Sequence, residues 1–419
     1  MGKTISEKIL SIHSGKDVHA NEVVVCKIDF CFSQDGTSGI LIDSFNKLEA
    51  NKIFDNKKFC MVIDHSAPSP NMGTSQIHKK MRDFIKKYKV KLFEIGCGVC
   101  HHIIPEYGYV KPGMLVIGAD SHTCTYGALN AFSTGMGSTD VAIGVASGTN
   151  WFKVPETTKI IVNGKLKKGT FSKDLILFII GKLTADGCTY HSTEFYGETI
   201  RNLSMDARFT ISNMAVEMGA KTGIIEADKI TWNWFKSHKI KVNKKSAVYA
   251  DKDATYINTI EFNASKIKPM VAKPHTVDNV DLAENLEDIK IDQAFLGTCT
   301  NGRLEDLIIA AKILKTHSIN SRVKFIVAPA SKMIYLKAIK LGIIELFIKR
   351  GIAIVAPGCG PCVGTHNGIP ADGENVISTA NRNFKGRMGN SNANIYLASP
   401  ATVVASAIKG KITTPQRFL

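Results

Sequence analysis

The sequence predicts an α/β protein of layered, largely parallel sheets, and three features of the chain carry that prediction. Short β-branched runs recur at 59–63, 114–117, 160–162, 293–296, 323–327 and 352–355. Helical-period segments, such as 304–315 and 332–340, separate the later runs from one another. Several runs also stop abruptly in polar or glycine-rich loops. In sheets of this kind ligands gather beyond the carboxyl ends of the strands. Asp64 and His65 follow one run, Asp120, Ser121 and His122 another, Cys299 a third and Cys359 a fourth. Four strand ends bearing Cys, His and Asp are a stronger signal than any one of them.

The bulk properties narrow the class. A chain of 419 residues, 44% hydrophobic and 21% charged, is long enough for two or three cores and too apolar to stay disordered. No apolar run approaches the roughly 18–20 residues that span a bilayer. The longest candidate, 175–180, is broken by Gly181 and Lys182. The N-terminal stretch reads as an amphipathic helix rather than a secretory signal, so the expected address is the cytoplasm and the ten cysteines belong to a reducing compartment.

The net charge of +16 invites a nucleic-acid reading, but the lysines are dispersed in pairs such as Lys57-Lys58, Lys86-Lys87 and Lys244-Lys245. No arginine-rich arm accompanies them. The charge is read as a solvated surface whose positive field draws small di- or tricarboxylates, with neither nucleic acid nor membrane as partner. The expected domains are 1–130, 131–285 and 286–419. The stretch 233–274 is lysine-rich and weakly patterned, and 268–274 reads as a connector.

Three cysteines sit in glycine-rich loops: Cys299 in LGTCTNGR, and Cys359 and Cys362 in APGCGPCVGTHNG. A CxxC in a Gly-Pro loop turns two thiolates to one side, and a third from another strand end can converge on them. Spacing alone leaves an iron–sulfur site, a zinc site and plain buried thiols open. Three thiolates would leave one metal position free for substrate, as catalysis requires. The segment Cys97–His101 also spells the CxxCH haem-attachment pattern. That reading is set aside for want of an export route, and His101 is read as an active-site imidazole.

The remaining polar set is Asp64-His65, His101, Asp120-Ser121-His122 and Glu194. Carboxylates that fix imidazole tautomers suit proton transfer to a leaving hydroxyl. Asn381, Arg382 and Arg387 share a loop in which two guanidiniums can clamp carboxylates.

Together the segments DH at 64–65, GADSHT at 118–123, GTCTNGR at 297–303, PGCGPCVG at 357–364 and NRNFKGR at 381–387 resemble the aconitase superfamily, most closely its isopropylmalate dehydratase and homoaconitase large-subunit branch. The resemblance runs along nearly the whole chain in the expected order. It implies three α/β/α domains around one 4Fe-4S cluster held by Cys299, Cys359 and Cys362, and an enzyme of the hydro-lyase class. By the same resemblance, Asp64 and His65 protonate the departing hydroxyl, Asp120 supports His101, and Glu194 supports His122. Asn381 stands beside the cluster, Arg382 and Arg387 hold substrate carboxylates, and Ser121 contacts substrate or orients its loop.

Two departures qualify what is implied. Gln34-Asp35 stands where isopropylmalate-type relatives commonly carry His-Asp, whereas aconitase has Gln-Asp with the glutamine on substrate. The chain also ends after the third expected domain. This implies that the fourth, swivelling domain comes from a separate small subunit, in a heterodimer or heterotetramer. The expected substrate is isopropylmalate, with homoaconitate and other alkylmalates such as methylmalate or dimethylmalate as alternatives. An RNA-binding, cluster-free regulator is the alternative of a different class.

Overall fold

Fully buried runs such as FCMV at Phe59–Val62 and LVIG at Leu115–Gly118 have no polar face to turn to water, so each needs helices on both sides. The computed structural model, which describes residues 2–419, meets that need three times. A five-stranded sheet orders Lys91–Phe93, Phe59–Val62, Phe30–Gln34, Leu115–Gly118 and Phe132–Gly135, all parallel. A four-stranded parallel sheet orders Thr222–Ile225, Ser192–Tyr196, Thr157–Asn163 and Asn258–Asn263. In the third sheet Asn394–Ala398, Asn375–Ser378, Gln293–Leu296, Lys324–Val327 and Ala353–Ile354 run parallel. Met270–Ala272 and Val280–Leu282 complete it in antiparallel pairing at one edge. An antiparallel ribbon, Val23–Lys27 with Thr149–Lys153, alternates buried and exposed side chains as a one-sided pair should.

The expected strands form, although 352–355 shrinks to Ala353–Ile354. The weakly patterned stretch is more ordered than its composition suggested. It holds the strand Asn258–Asn263, whose side chains alternate between exposed and half-buried at a sheet edge, so little apolar periodicity marks it. The connector expected at 268–274 instead contributes Met270–Ala272 to the third sheet. The apolar run at 175–180 lies inside the helix Ser172–Leu183, packed in the core. No helix among the described residues is long and apolar enough to cross a membrane.

Buried polar bonds lock the three sheets together behind the strand ends. Asn213 donates from Nδ2 to Thr125 Oγ1 at 2.8 Å and accepts from Thr300 Oγ1 at 2.8 Å. Thr125 Oγ1 in turn donates to the His122 carbonyl at 2.6 Å. One asparagine therefore ties the His122 turn to the loop that carries Cys299. Asn213→Leu strands the buried Thr300 hydroxyl at a cost of about 1–3 kcal/mol, while Thr125 keeps its bond to the His122 carbonyl. The expected result is a lower denaturant midpoint with an unchanged m-value, and an unshifted midpoint would show the bridge to be dispensable.

Candidate active site

Asp35, the first residue of the helix Asp35–Lys47, shapes the turn after the strand Phe59–Val62. Its carboxylate accepts from the backbone nitrogens of Asp64 at 2.9 Å, His65 at 2.8 Å and Ser66 at 2.8 Å. Burial opposes its charge, but His78, the His65 charge and those N–H groups hold it well below the usual carboxylate range. The turn aims Asp64 and His65 into the site, with His65 Nδ1 on Asp64 Oδ1 at 2.7 Å. The other oxygen of Asp64 accepts from Cys100 N at 2.6 Å.

Asp120 caps the 3-10 segment Ser121–Leu129 and gathers the imidazoles. Its Oδ1 accepts from His101 Nε2 at 2.8 Å and from His122 N at 2.8 Å. Its Oδ2 lies 3.4 Å from His65 Nε2 and accepts from Gln34 Nε2 at 3.4 Å. Burial works against this carboxylate, yet His101, then the hydrogen bonds of His101, His122 and His65, push it well below its ordinary value. Burial likewise opposes charge on His65, but the Asp64 charge and the bonds to Asp120 and Asp64 push its imidazole well above its ordinary value. An imidazole with each nitrogen facing a carboxylate carries a proton ready to donate.

The pairing expected between His122 and Glu194 is not formed. His122 Nε2 meets Glu217 Oε1 at 2.8 Å, and Arg382 Nε donates to the same oxygen at 2.7 Å. Burial opposes the Glu217 charge, but the His122 bond and the Arg382 charge outweigh it and lower its value. Glu194 instead accepts from Ile5 N at 2.7 Å, from Tyr196 Oη at 2.5 Å and from Tyr256 Oη at 3.3 Å. Burial pushes its carboxyl up to about 7. Side chains alternate along the strand Ser192–Tyr196, and the register turns Glu194 toward the N-terminal helix. Glu217 lies in a short 3-10 segment, Met214–Met218, that carries no motif, so nothing in its neighbourhood marked it beforehand.

The three thiols follow strand ends and are buried. Cys359 N donates to the Asp64 carbonyl at 2.7 Å, Cys362 N to the Cys359 carbonyl at 2.9 Å, and Thr365 Oγ1 to the His65 carbonyl at 2.8 Å. These bonds fasten the CxxC loop onto the Asp64-His65 turn. Asp64, His65 and Cys359 present donor atoms within 4.8 Å of one another. Asn381 Nδ2 donates to Cys299 Sγ at 3.0 Å and Arg387 Nη2 to Cys362 Sγ at 3.0 Å. Arg387 thus serves a sulfur, and Arg382 serves Glu217.

This donor set fits an iron–sulfur group. Burial, together with the other thiols and nearby carboxylates, pushes the Cys299 thiol up to about 12 and Cys359 well above its ordinary value. Three thiolates so placed need a cation among them. His101 Nδ1, Asn381 Oδ1 and Arg387 Nε are buried with no hydrogen-bond partner among the described residues, which leaves polar atoms for a bound group. The CxxCH segment has a different task. Val99 N donates to the Ala330 carbonyl at 3.0 Å and Lys332 N to the Cys97 carbonyl at 2.9 Å, so its backbone seams two sheets while His101 faces Asp120. Beside the site a cleft of ≈ 680 Å³ runs from Gln34, Asp120 and Ser121 to Lys153, Tyr190 and Lys221. Its size suits a small molecule, and its lining sets Lys153 and Lys221 against Asp120 and Asp140.

The sequence matches the aconitase family (aconitate hydratase) over residues 7–285 and 276–410. It is 52% identical over 421 residues to the 3-isopropylmalate dehydratase large subunit 1 of Thermotoga maritima, with 100% of both chains covered. It is 50% identical to the large subunit 2 of Archaeoglobus fulgidus and 48% to the large subunit of Clostridium kluyveri, again over 100% of each. The fold is similar to that of Thermococcus kodakaraensis aconitase X, with a TM-score of 0.50, 14% identity, and 90% of this chain and 89% of that one covered.

The two glutamates give opposite expectations. Glu217→Gln removes the charge that His122 and Arg382 share, and turnover should fall by about 10²-fold. Glu194→Gln should leave turnover alone and change the pH dependence of stability. A carboxyl held up at about 7 when folded stabilises the fold fully below its unfolded value of 4.5 and loses that contribution as pH rises through 7. Denaturant midpoints at both ends of that window should therefore lie closer together in Glu194→Gln. A Glu217→Gln enzyme with wild-type turnover would return the role to Glu194.

Proposed function

This chain belongs to the aconitase family, and from that premise we propose that it is the large subunit of a hydro-lyase that interconverts 2-isopropylmalate and 3-isopropylmalate by dehydration and rehydration, a step of leucine biosynthesis. The observation that carries the reading is identity near one half, end to end, with relatives that bear that name. One 4Fe-4S cluster per chain, a small subunit that completes the site as a heterodimer or heterotetramer, and a cytoplasmic address belong to the same proposal. The three α/β/α units 1–130, 131–285 and 286–419 are proposed as its domains, with the strands Phe132–Gly135, Met270–Ala272 and Val280–Leu282 crossing those bounds to complete the first and third sheets.

Cys299, Cys359 and Cys362 would hold the cluster. When bound, it supplies a Lewis acid that polarises the departing hydroxyl. The chain's own residues govern the proton and the substrate. His65, charged between Asp64 and Asp120, is the proton donor to the hydroxyl. His101 and His122 are oriented by Asp120 and Glu217, which fixes where their rings can meet substrate. Gln34 and Ser121 border the cleft and, with Arg382, contact the substrate's polar groups. Asn381 and Arg387 donate to sulfur and so stabilise thiolate charge.

The decisive experiment purifies the chain anaerobically, with and without the small subunit, and follows conversion of 2-isopropylmalate to 3-isopropylmalate. The paired preparation should turn over and the chain alone should be nearly inactive. Failure of the iron-loaded complex on isopropylmalate, with turnover of homoaconitate or another alkylmalate, would move the substrate but not the reaction class. Cys359→Ser should lose iron and visible colour while staying folded, because a hydroxyl is a poor substitute for a thiolate. Arg382→Lys should keep its iron and raise KM, since one ammonium cannot reproduce the guanidinium fork. Unchanged iron in the first, or unchanged kinetics in the second, would refute the corresponding role.

A further inference from the structure

Lys173 has no exposed surface and occupies the first turn of the helix Ser172–Leu183, where the helix dipole disfavours a positive charge. Its Nζ donates to the Thr379 carbonyl at 3.0 Å and the Ala380 carbonyl at 2.6 Å, and no carboxylate among the described residues pairs with it. The adjacent Asp174 is committed elsewhere, accepting from Phe171 N at 2.8 Å and Met270 N at 2.9 Å. A lysine buried without an anion is among the costliest arrangements a core can contain. Burial works against its charge, and the groups that favour that charge most are Cys299 and Cys362, once ionised, ahead of Glu217 and Asp306. The two carbonyls it holds immediately precede Asn381, whose amide reaches the Cys299 sulfur.

We propose that Lys173 is the buried counter-charge of the anionic centre formed when Cys299, Cys359 and Cys362 hold their cluster, and that it positions Asn381 through Thr379 and Ala380. This rests on the iron–sulfur reading of the three cysteines. A cluster core with two positive charges and three thiolates carries a net negative charge, so a fixed ammonium in the same dry interior favours the loaded state. In the empty protein the same amine has no anion of its own and burial pushes it down to about 7, so holding a charge there costs stability, whereas the anionic loaded centre favours the ammonium. Lys173 therefore has effects of opposite sign on the two states.

The test compares wild type with Lys173→Met, which keeps the unbranched apolar stem, one atom shorter, without the charge. It reads iron and sulfide per chain after anaerobic reconstitution, the rate of iron release to a chelator, and the melting temperature of the iron-free protein. The expected result is iron release accelerated by about ten-fold or more, alongside an iron-free melting temperature equal to or above that of wild type. Lys173→Gln, which retains a donor for the two carbonyls, should release iron as fast as Lys173→Met if charge is what matters. A wild-type release rate in both variants overturns the proposal. So does an iron-free protein destabilised in parallel with its loss of iron, or a chain that folds in neither variant, since each shows a purely structural lysine. If wild type itself takes up no iron, the iron–sulfur reading has failed, an outcome distinct from a failure of Lys173 within a loaded protein.

Discussion

The carboxylate of Asp120 is the constraint on which the site depends. It lies at the end of one strand and holds its own His122 turn through the backbone nitrogen, yet it also fixes side chains from three other strand ends: His101 through Nε2, and His65 and Gln34 through its second oxygen. A buried carboxylate tolerates that position only if its charge is compensated, and the imidazoles around it provide the compensation. The compensation is mutual. Asp120 and Asp64 together keep the His65 proton in place, so the acid and its orienting base are one electrostatic unit.

Around this unit, backbone bonds determine the precision of the site. The CxxC loop hangs on the carbonyls of Asp64 and His65, the CxxCH segment pairs with residues 330–332, and Asn213 bridges Thr125 and Thr300. Thiols and imidazoles from different sheets are therefore positioned by main-chain contacts rather than by long flexible side chains. Groups that must meet substrate to within a fraction of an ångström need this kind of support. It also explains why loops dense in glycine recur here. Gly98, at a φ of 132°, places its Cα where a side chain would strike Ser331, and a Cβ at Gly358 would come within 2.8 Å of the Asp64 carbonyl.

The charge of the protein is distributed on two scales. On the surface, the lysine pairs lie mostly in solvent, with a field that favours anions arriving at a cleft whose lining sets Lys153 and Lys221 against Asp120 and Asp140. In the interior, nearly every charge is matched: Glu217 by His122 and Arg382, and Arg208 by the bidentate Asp228. Asp306 and Asp174 lack so strong a partner, and burial drives both up to about 7. Lys173 stands outside that pattern, as does Arg303, and both hold backbone carbonyls rather than a carboxylate.

By itself the sequence determined the α/β layering, since fully apolar runs of strand length admit few other homes, and it determined the chemical inventory at four strand ends. Asp64, His65, His101, Asp120, His122 and the three cysteines were legible because each sits in a short glycine-bearing or DH/DSH motif whose residue types have few structural uses. The role of Asp35 in organising the DH turn, the choice of Glu217 over Glu194 and the isolation of Lys173 were decided only by the tertiary structure. Each depends on where a side chain points after two or three sheets have packed. Glu194 and Glu217 are both buried acids in the second sheet's layer, and it is strand register that turns one toward the N-terminal helix while a 3-10 turn delivers the other to His122. Sequence specifies which groups are available, but partnership between groups nearly a hundred residues apart is settled by burial, because a charge removed from water must take whichever counter-charge the packing places within reach.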